Sequence, residues 1–363
     1  MKLQVTQENL NKALTTVARV ANTRGTLPVL ANVLVKTVNN RLSIAATNLD
    51  IAITHYIGAK VSSEGAITVP ARLMQDFISS LPQGVIDLEL TDYRLSIATD
   101  QYKSTVNGVS ADEFPVMPTI ENGKPWSIYG VSLKKSLQQV IIAASADESR
   151  PVLTGVLFHI EDGKLYMAAT DSYRLAEKQL GSKKTAIELL VPGSAMQDLL
   201  RIVSDYEGDV EVLSDEQQVL FRAGDVDLVA RLIEGKYPDY RKLIPQTFAV
   251  TANLKRADLL NVTKVSSLFA RESAGSITIN VDEESQKISI QSIASQLGEN
   301  TASADAKVSG TGAITLNSRY LLDALHVLNG EDVLFSFNGK LEPTMISDPV
   351  AKDYVHIIMP LKS

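Results

Sequence analysis

The 363-residue sequence has no cysteine, a single tryptophan and four histidines. Without cysteine there is no disulfide, no thiolate nucleophile, no iron–sulfur cluster and no zinc site of the cysteine type. Long apolar runs are also missing: none approaches the ~20 residues that a bilayer-spanning helix needs. Met1-Lys2-Leu3-Gln4-Val5 alternates like a strand instead of opening a signal peptide, so the chain is expected to be cytoplasmic, with no membrane partner. Basic excess is absent too. A net charge of −7 argues against holding nucleic acid by bulk charge, because phosphate affinity comes from neutralisation by Lys and Arg. It leaves room for a basic surface on one face.

Catalytic signatures are equally sparse. The sequence has no phosphate-cradling Gly-rich loop ending in Gly-Lys-Ser/Thr, no dinucleotide fingerprint and no nucleophile elbow, and Gly310-Thr311-Gly312 lacks a third glycine. His55, His159, His326 and His356 stand singly, without a His or Glu partner at ligand spacing, and read as surface or strand-face residues. Asp282-Glu283-Glu284 reads as a solvated hairpin tip. No catalytic residue, metal or cofactor is expected, and the chain does not read as an enzyme. With 45% hydrophobic and 21% charged residues, it has the balance of an ordinary globular protein.

What is present is repetition. Pro28-Val29-Leu30-Ala31-Asn32-Val33-Leu34, continuing to Ala45-Ala46-Thr47-Asn48, aligns without a gap on Pro151-Val152-Leu153-Thr154-Gly155-Val156-Leu157, continuing to Ala168-Ala169-Thr170-Asp171. Val69-Pro70 through Ile78 likewise matches Val191-Pro192 through Leu200, and a fainter third copy runs from Leu316 to Leu325. The chain therefore divides into three domains, 1–124, 125–246 and 247–363. Pro115–Pro125 and Pro238–Gln246 read as the linkers.

Each third opens with an amphipathic helix. Leu10, Leu14, Val17 and Ala21 form the apolar side of the first, with Lys12, Thr16 and Arg19 on another face. Leu133, Leu137, Val140, Ile141 and Ala144 do so in the second, away from Lys134 and Lys135. In the third, over about 254–270, Leu260, Val265, Leu268 and Phe269 are set against Lys255, Arg256, Lys264 and Arg271. Shorter helices are predicted near 71–80, 193–204 and 317–327, with Pro70 and Pro192 suiting a first turn. Between them, segments such as Leu42–Ala46, Ile86–Leu90, Val210–Leu213, Ile277–Val281 and Lys287–Ile290 alternate with period two and read as half-buried strands. The class is α+β, with a helix-then-strands unit occurring about six times. Stacked repeats of this kind leave end surfaces that close into rings or run on as filaments.

Four segments carry a specific resemblance: Thr26-Leu27-Pro28-Val29-Leu30, Ala169–Ala176, Gly235–Pro245, and the closing Ile357-Ile358-Met359-Pro360-Leu361. In this order the chain resembles, over its whole length, the bacterial sliding-clamp family, the beta subunit of DNA polymerase III. The resemblance implies three DNA-clamp domains with helices inside and antiparallel sheets outside, closing head to tail as a homodimer. Such a ring encloses double-stranded DNA without reading its sequence, is opened by a clamp loader, and tethers the DNA polymerase catalytic subunit and other clamp-motif proteins.

By the same resemblance, a peptide-binding pocket is formed by Leu153, Thr170, Ser172, Tyr173, Arg174, Leu175, Pro238, Lys242, Leu243, Leu341, Pro343, Ile358, Met359, Pro360 and Leu361. Aliphatic side chains with Met and Pro make an adaptable apolar trough, and Arg and Lys at its rim suit acidic ligands. Read from periodicity alone, Ile357–Leu361 is an ordinary last strand whose Pro360 marks an edge. Lys242 stands where some members have Arg, and Ser172-Tyr173 where others have Gly-His, changes that shift peptide preference. The DNA-facing candidates are Arg24, Arg72, Arg150, Lys12, Lys134 and Lys264; Pro151 and Val152 replace aromatic residues that touch DNA in other members. For the dimer contact, the strand around Ser104 and Val106 is expected to meet Leu268 and Phe269 of a second copy, with intrachain core as the alternative for Leu268. Two other readings are a peptide-binding paralogue without a housekeeping replicative role, and an enzyme whose site would gather convergent polar groups.

Overall fold

Each of the six helices among the described residues grows directly from a strand. The structure, a computed structural model, describes residues 1–21, 27–120, 123, 125–182, 187–294 and 298–362. Strand Lys2–Thr6 runs into α1 (Gln7–Val17), Ala66–Pro70 into α2 (Ala71–Ser80), and Trp126–Tyr129 into α3 (Gly130–Val140). Glu188–Pro192 likewise precedes α4 (Gly193–Ile202), Val250–Lys255 precedes α5 (Arg256–Phe269), and Gly312–Asn317 precedes α6 (Ser318–Val327). The predicted helix positions are thus met, with α1 and α3 stopping at Val17 and Val140, short of Ala21 and Ala144. Thr6 and Asn317 accept hydrogen bonds from the first-turn N–H groups of Asn9 and Arg319, capping α1 and α6. Pro70 is not a first-turn residue; it ends its strand opposite Asn32 at the margin of a sheet, where a missing N–H costs no ladder bond.

The chain forms two compact units. One comprises Met1–Lys134 with Gln197–Leu232, the other Lys135–Met196 with Ile233–Ser363. The first holds a five-stranded and an eight-stranded antiparallel sheet, the second a nine-stranded and a four-stranded one. Within the first unit, Ile51–Gly58 pairs with Val226–Arg231, so strands from the first and central thirds share one sheet. In the second, Arg174–Ser182 pairs with Tyr354–Ile358 in the same way. The type of strand Leu42–Ala46 is as predicted but its burial is not: both faces are closed off, because it lies inside the sheet and its second face carries small Ser43 and Ala45. The linkers are not free either. Met117 and Ile120 pack on Ala52, Leu220 and Val229, while Tyr237 and Tyr240 sit in a cluster with Leu157, Leu175 and Ile357.

Packing of α5 overturns its predicted face. Leu259, Thr263 and Ser266 are its buried residues, whereas Val265 and Leu268 are about half exposed. Thr263 satisfies its hydroxyl on the Leu259 carbonyl and Ser266 accepts from the Asn300 amide, so small polar groups, already paired, make the close helix–strand contact that bulky side chains would prevent.

Two histidines are buried in strands without a charged partner. Burial pushes His356 down to about 3 and, with Lys12 nearby, His55 down to about 4. Both stay neutral in the folded state and take up a proton on unfolding, so stability is full above pH ~6.5 and falls as pH drops below that value, by up to about 1.4 kcal/mol per pH unit for each histidine. His356→Gln should lower the slope of unfolding free energy between pH 6 and 5 by about one proton; an unchanged slope in urea titrations would show that His356 is not the group titrating. No helix among the described residues is long and apolar enough to cross a membrane.

Candidate functional site

The residues of the expected cleft gather at one end of the nine-stranded sheet. Ile358 is flanked by Arg174 on one neighbouring strand and Thr344 on the other. One step beyond, the Met359 N–H donates to the Tyr173 carbonyl at 2.8 Å, and Pro343 directly precedes the Thr344–Ser347 strand. This places the Tyr354–Ile358 strand inside the sheet. It is not an edge, and Ile358 is fully buried; Pro360 lies past its end.

The turn that presents Tyr173 is built from short polar side chains. Asp171 Oδ1 accepts from the N–H groups of Tyr173 and Arg174, both at 2.9 Å. Thr170 Oγ1 donates to the Arg174 carbonyl and accepts from Ser172, which adopts a left-handed backbone with φ 78°. The result holds the Tyr173 side chain outward, 58% exposed. Beneath it the Tyr237 hydroxyl accepts from the Thr170 N–H at 2.9 Å, its phenol pushed up by burial. Val152, Ile244, Met345 and Met359 close on the cluster that contains Leu175 and Tyr237. Leu153 is buried in the 3-10 turn Pro151–Thr154. Leu243 and Leu341 are exposed, and Pro238 is exposed beside Tyr237.

The rim cations behave differently from expectation. Arg174 is largely buried, with Nε 3.1 Å from Asp171, Nη1 2.6 Å from Asp323 of α6, and its guanidinium 4.5 Å above the Tyr320 ring. Its charge is spent on two carboxylates, so it fixes the wall of the cleft instead of waiting for an acidic ligand. Lys242 is 81% exposed and its pairing with Asp239, 2.7 Å away, is a solvated contact of little strength. Tyr320 and Asp323 escaped the sequence reading because the third repeat copy showed only helical periodicity. The segment carrying Lys242 and Leu243 is anchored by its neighbours. Tyr240 donates to Glu177 at 2.5 Å and contacts His159 at 2.7 Å, and Arg241 bridges Glu177 and Glu161 while lying 4.0 Å over Tyr166.

The DNA-facing candidates have different local settings. Lys12, Arg72 and Lys264 are exposed on α1, α2 and α5. Lys134 turns its ammonium to the Ser204 carbonyl at 2.5 Å, just past the end of α4, a favourable place for a cation. Arg150 donates to Ser172 Oγ at 3.0 Å and so belongs beside the cleft turn. Arg24 lies outside the described residues.

The dimer candidates differ in exposure: Leu268 is open, Ser104 and Phe269 are half-buried, and Val106 turns its side chain into the core. Ser104 and Val106 sit on Lys103–Asn107, an outer strand of the five-stranded sheet, and Leu268 is 49% exposed, which removes the intrachain-core alternative. The sequence reading missed a second open edge, Gly298–Asp305 of the four-stranded sheet, packed beside α5; its weakly hydrophobic alternation, Thr301-Ala302-Ser303-Ala304, gave little signal.

Comparison with known proteins gives three consecutive matches to the DNA polymerase III beta subunit: the N-terminal domain over residues 1–118, the central domain over 127–239 and the C-terminal domain over 241–362. The beta sliding clamp of Synechococcus elongatus is 32% identical, with all of this chain and 99% of that protein aligned. The beta sliding clamp of Bacillus subtilis is 29% identical over the full length of both. The crystal structure of the Bacillus subtilis clamp superposes with a TM-score of 0.95 at 28% identity, covering 100% of this chain and 99% of that one. A Pseudomonas aeruginosa sliding clamp bound to griselimycin superposes at 0.94 with 25% identity, covering both chains completely.

Proposed function

The chain belongs to the family of DNA polymerase III beta subunits, the sliding clamps, and from that membership we propose that two copies close into a ring around duplex DNA and act as a mobile tether. The protein is a non-catalytic processivity subunit of the replicative polymerase. Its partners are double-stranded DNA, held without sequence preference, the polymerase catalytic subunit, a clamp loader and other proteins carrying clamp-binding segments, all in the cytoplasm. The observation that supports the tethering role is exposed Tyr173 bonded to Met359 over the apolar cluster of Leu175, Tyr237 and Ile357, with Leu243 and Leu341 exposed, a surface suited to linear peptides. Arg72, Lys12 and Lys264, with Arg24 and Arg150, supply long flexible cations for phosphate contacts that position without reading bases. The three-domain organisation, 1–124, 125–246 and 247–363, follows the internal repeat.

Ring closure has a physical motive in two of the outer strands, Lys103–Asn107 and Gly298–Asp305, because solitary proteins cover or blunt such edges. Lys103–Asn107 of one copy meeting Gly298–Asp305 of the other satisfies both ladders. Leu268, with Phe269, seals the contact, whereas the Val106 side chain is buried against its own sheet and contributes only backbone at the edge. Leu268→Asp alters an exposed side chain, so the fold should persist while the dimer dissociation constant rises at least about tenfold, because an unpaired carboxylate is costly to desolvate. Analytical ultracentrifugation at micromolar protein should then show a shift toward the 39.4 kDa chain. An unshifted dimer would remove Leu268 from the interface.

A further inference from the structure

The turn that builds the cleft occurs a second time, in the other unit. Thr47-Asn48-Leu49-Asp50-Ile51 stands, by the internal repeat, where Thr170-Asp171-Ser172-Tyr173-Arg174 stands. Its bonds are the same bonds. Asn48 Oδ1 accepts from Asp50 and Ile51 at 3.1 and 2.8 Å, and Thr47 Oγ1 donates to the Ile51 carbonyl at 2.9 Å while accepting from Leu49 at 3.0 Å. Leu49 has φ 79°, against 78° for Ser172. The neighbouring strands repeat as well. Arg231 N–H donates to the Asp50 carbonyl at 2.9 Å, as Met359 does to Tyr173, and Gln218 pairs with Arg231 as the counterpart of Pro343. Even the floor corresponds: Ala52 and Val229 occupy the places of Leu175 and Ile357, and the first linker covers them as the second linker covers their counterparts.

We propose that this second cleft, about 360 Å³ and lined by Leu49, Asp50, Val116, Pro118, Gln218 and Arg231, is a docking site for a short linear peptide that combines aliphatic residues with one acidic side chain. The proposal rests on the reading of the C-terminal cleft as a peptide site and extends it to a second site with different selectivity. Two features point to a ligand. Leucine is costly in a left-handed backbone, yet Leu49 is held there with its side chain 48% exposed, beside Val116 at 95%. Where the C-terminal cleft has Met359 and Tyr173, this one has Arg231 and Asp50, and among the described residues Arg231 makes no ion pair. The guanidinium therefore selects a carboxylate, and Asp50, whose carbonyl accepts from the Arg231 N–H, disfavours a second one. The two clefts thus divide partners by charge, apolar segments at one and acidic-aliphatic segments at the other.

The test uses full-length protein carrying Met359→Asp, which places a carboxylate on the apolar floor of the C-terminal cleft and repels an acidic probe there, and a fluorescein-labelled probe, Gly-Asp-Leu-Leu-Gly, read by anisotropy. Saturable binding is expected to persist; Arg231→Glu should weaken it at least tenfold and reverse the preference toward a probe with lysine in place of aspartate. Leu49→Gly, which suits the left-handed backbone of the same turn, should weaken binding about fivefold. Absence of saturable binding to Met359→Asp protein at millimolar probe, or equal affinity with and without Arg231→Glu, overturns the proposal. A polymerase-derived peptide is titrated in parallel: if Met359→Asp leaves its affinity unchanged, the C-terminal cleft assignment falls, and the Arg231 comparison still decides the second site separately.

Discussion

Ending the chain at Ile358, so that Met359 and everything after it are removed, should weaken binding of the polymerase's clamp-directed peptide at least about thirtyfold, roughly 2 kcal/mol, with dimer and fold retained. Met359 packs on the Leu175–Tyr237 cluster, and its N–H holds the Tyr173 carbonyl; losing both opens one wall of the cleft and frees the turn that presents Tyr173. The cut must fall after Ile358. That residue is fully buried between two strands, so a shorter chain would lose core packing, and weakened binding would then say nothing about the cleft. Leu361 donates to the Thr315 carbonyl, a terminal contact whose loss costs little. Unchanged affinity in a calorimetric titration of the truncated protein would remove Met359–Leu361 from the site.

Architecture was legible in the sequence because repetition is a strong signal and helical periodicity survives in a single chain. The two joining pairs, Ile51–Gly58 with Val226–Arg231 and Arg174–Ser182 with Tyr354–Ile358, were not legible, since strand pairing across repeats depends on tertiary register. The α5 face was misread because Thr263 and Ser266 are polar by composition yet buried by close approach, while Leu268 is apolar yet exposed. Arg174 was read as a rim cation, because nothing in the spacing reveals that Asp323, 149 positions away, neutralises it. The cleft itself was reached through resemblance; from periodicity, Ile357–Leu361 was a strand end. The likeness of Leu49 to Ser172 needed backbone angles, for the side chains have nothing in common.

In the ring proposed above, the protein is held on DNA by topology and not by grip. An acidic chain of net charge −7, with scattered basic residues on its helices, neutralises few phosphates, so direct contact alone gives a weak complex that salt dissolves. A closed ring needs no such grip, and its lifetime on DNA is set by the opening of an interface or the presence of an end. Reversing Lys12 and Lys264 to Glu should lower loading efficiency and salt-sensitive affinity without shortening the residence of rings already threaded. The direct measurement is to load the protein with its clamp loader onto nicked circular DNA, remove free protein in 0.5–1 M salt, on the order of a 3–4 Å Debye length, and then linearise half of the sample. The protein should stay on the circles and leave the linear DNA by its ends, a difference in lifetime of at least about tenfold; equal loss from circular and linear DNA, with the dimer intact, would contradict the account.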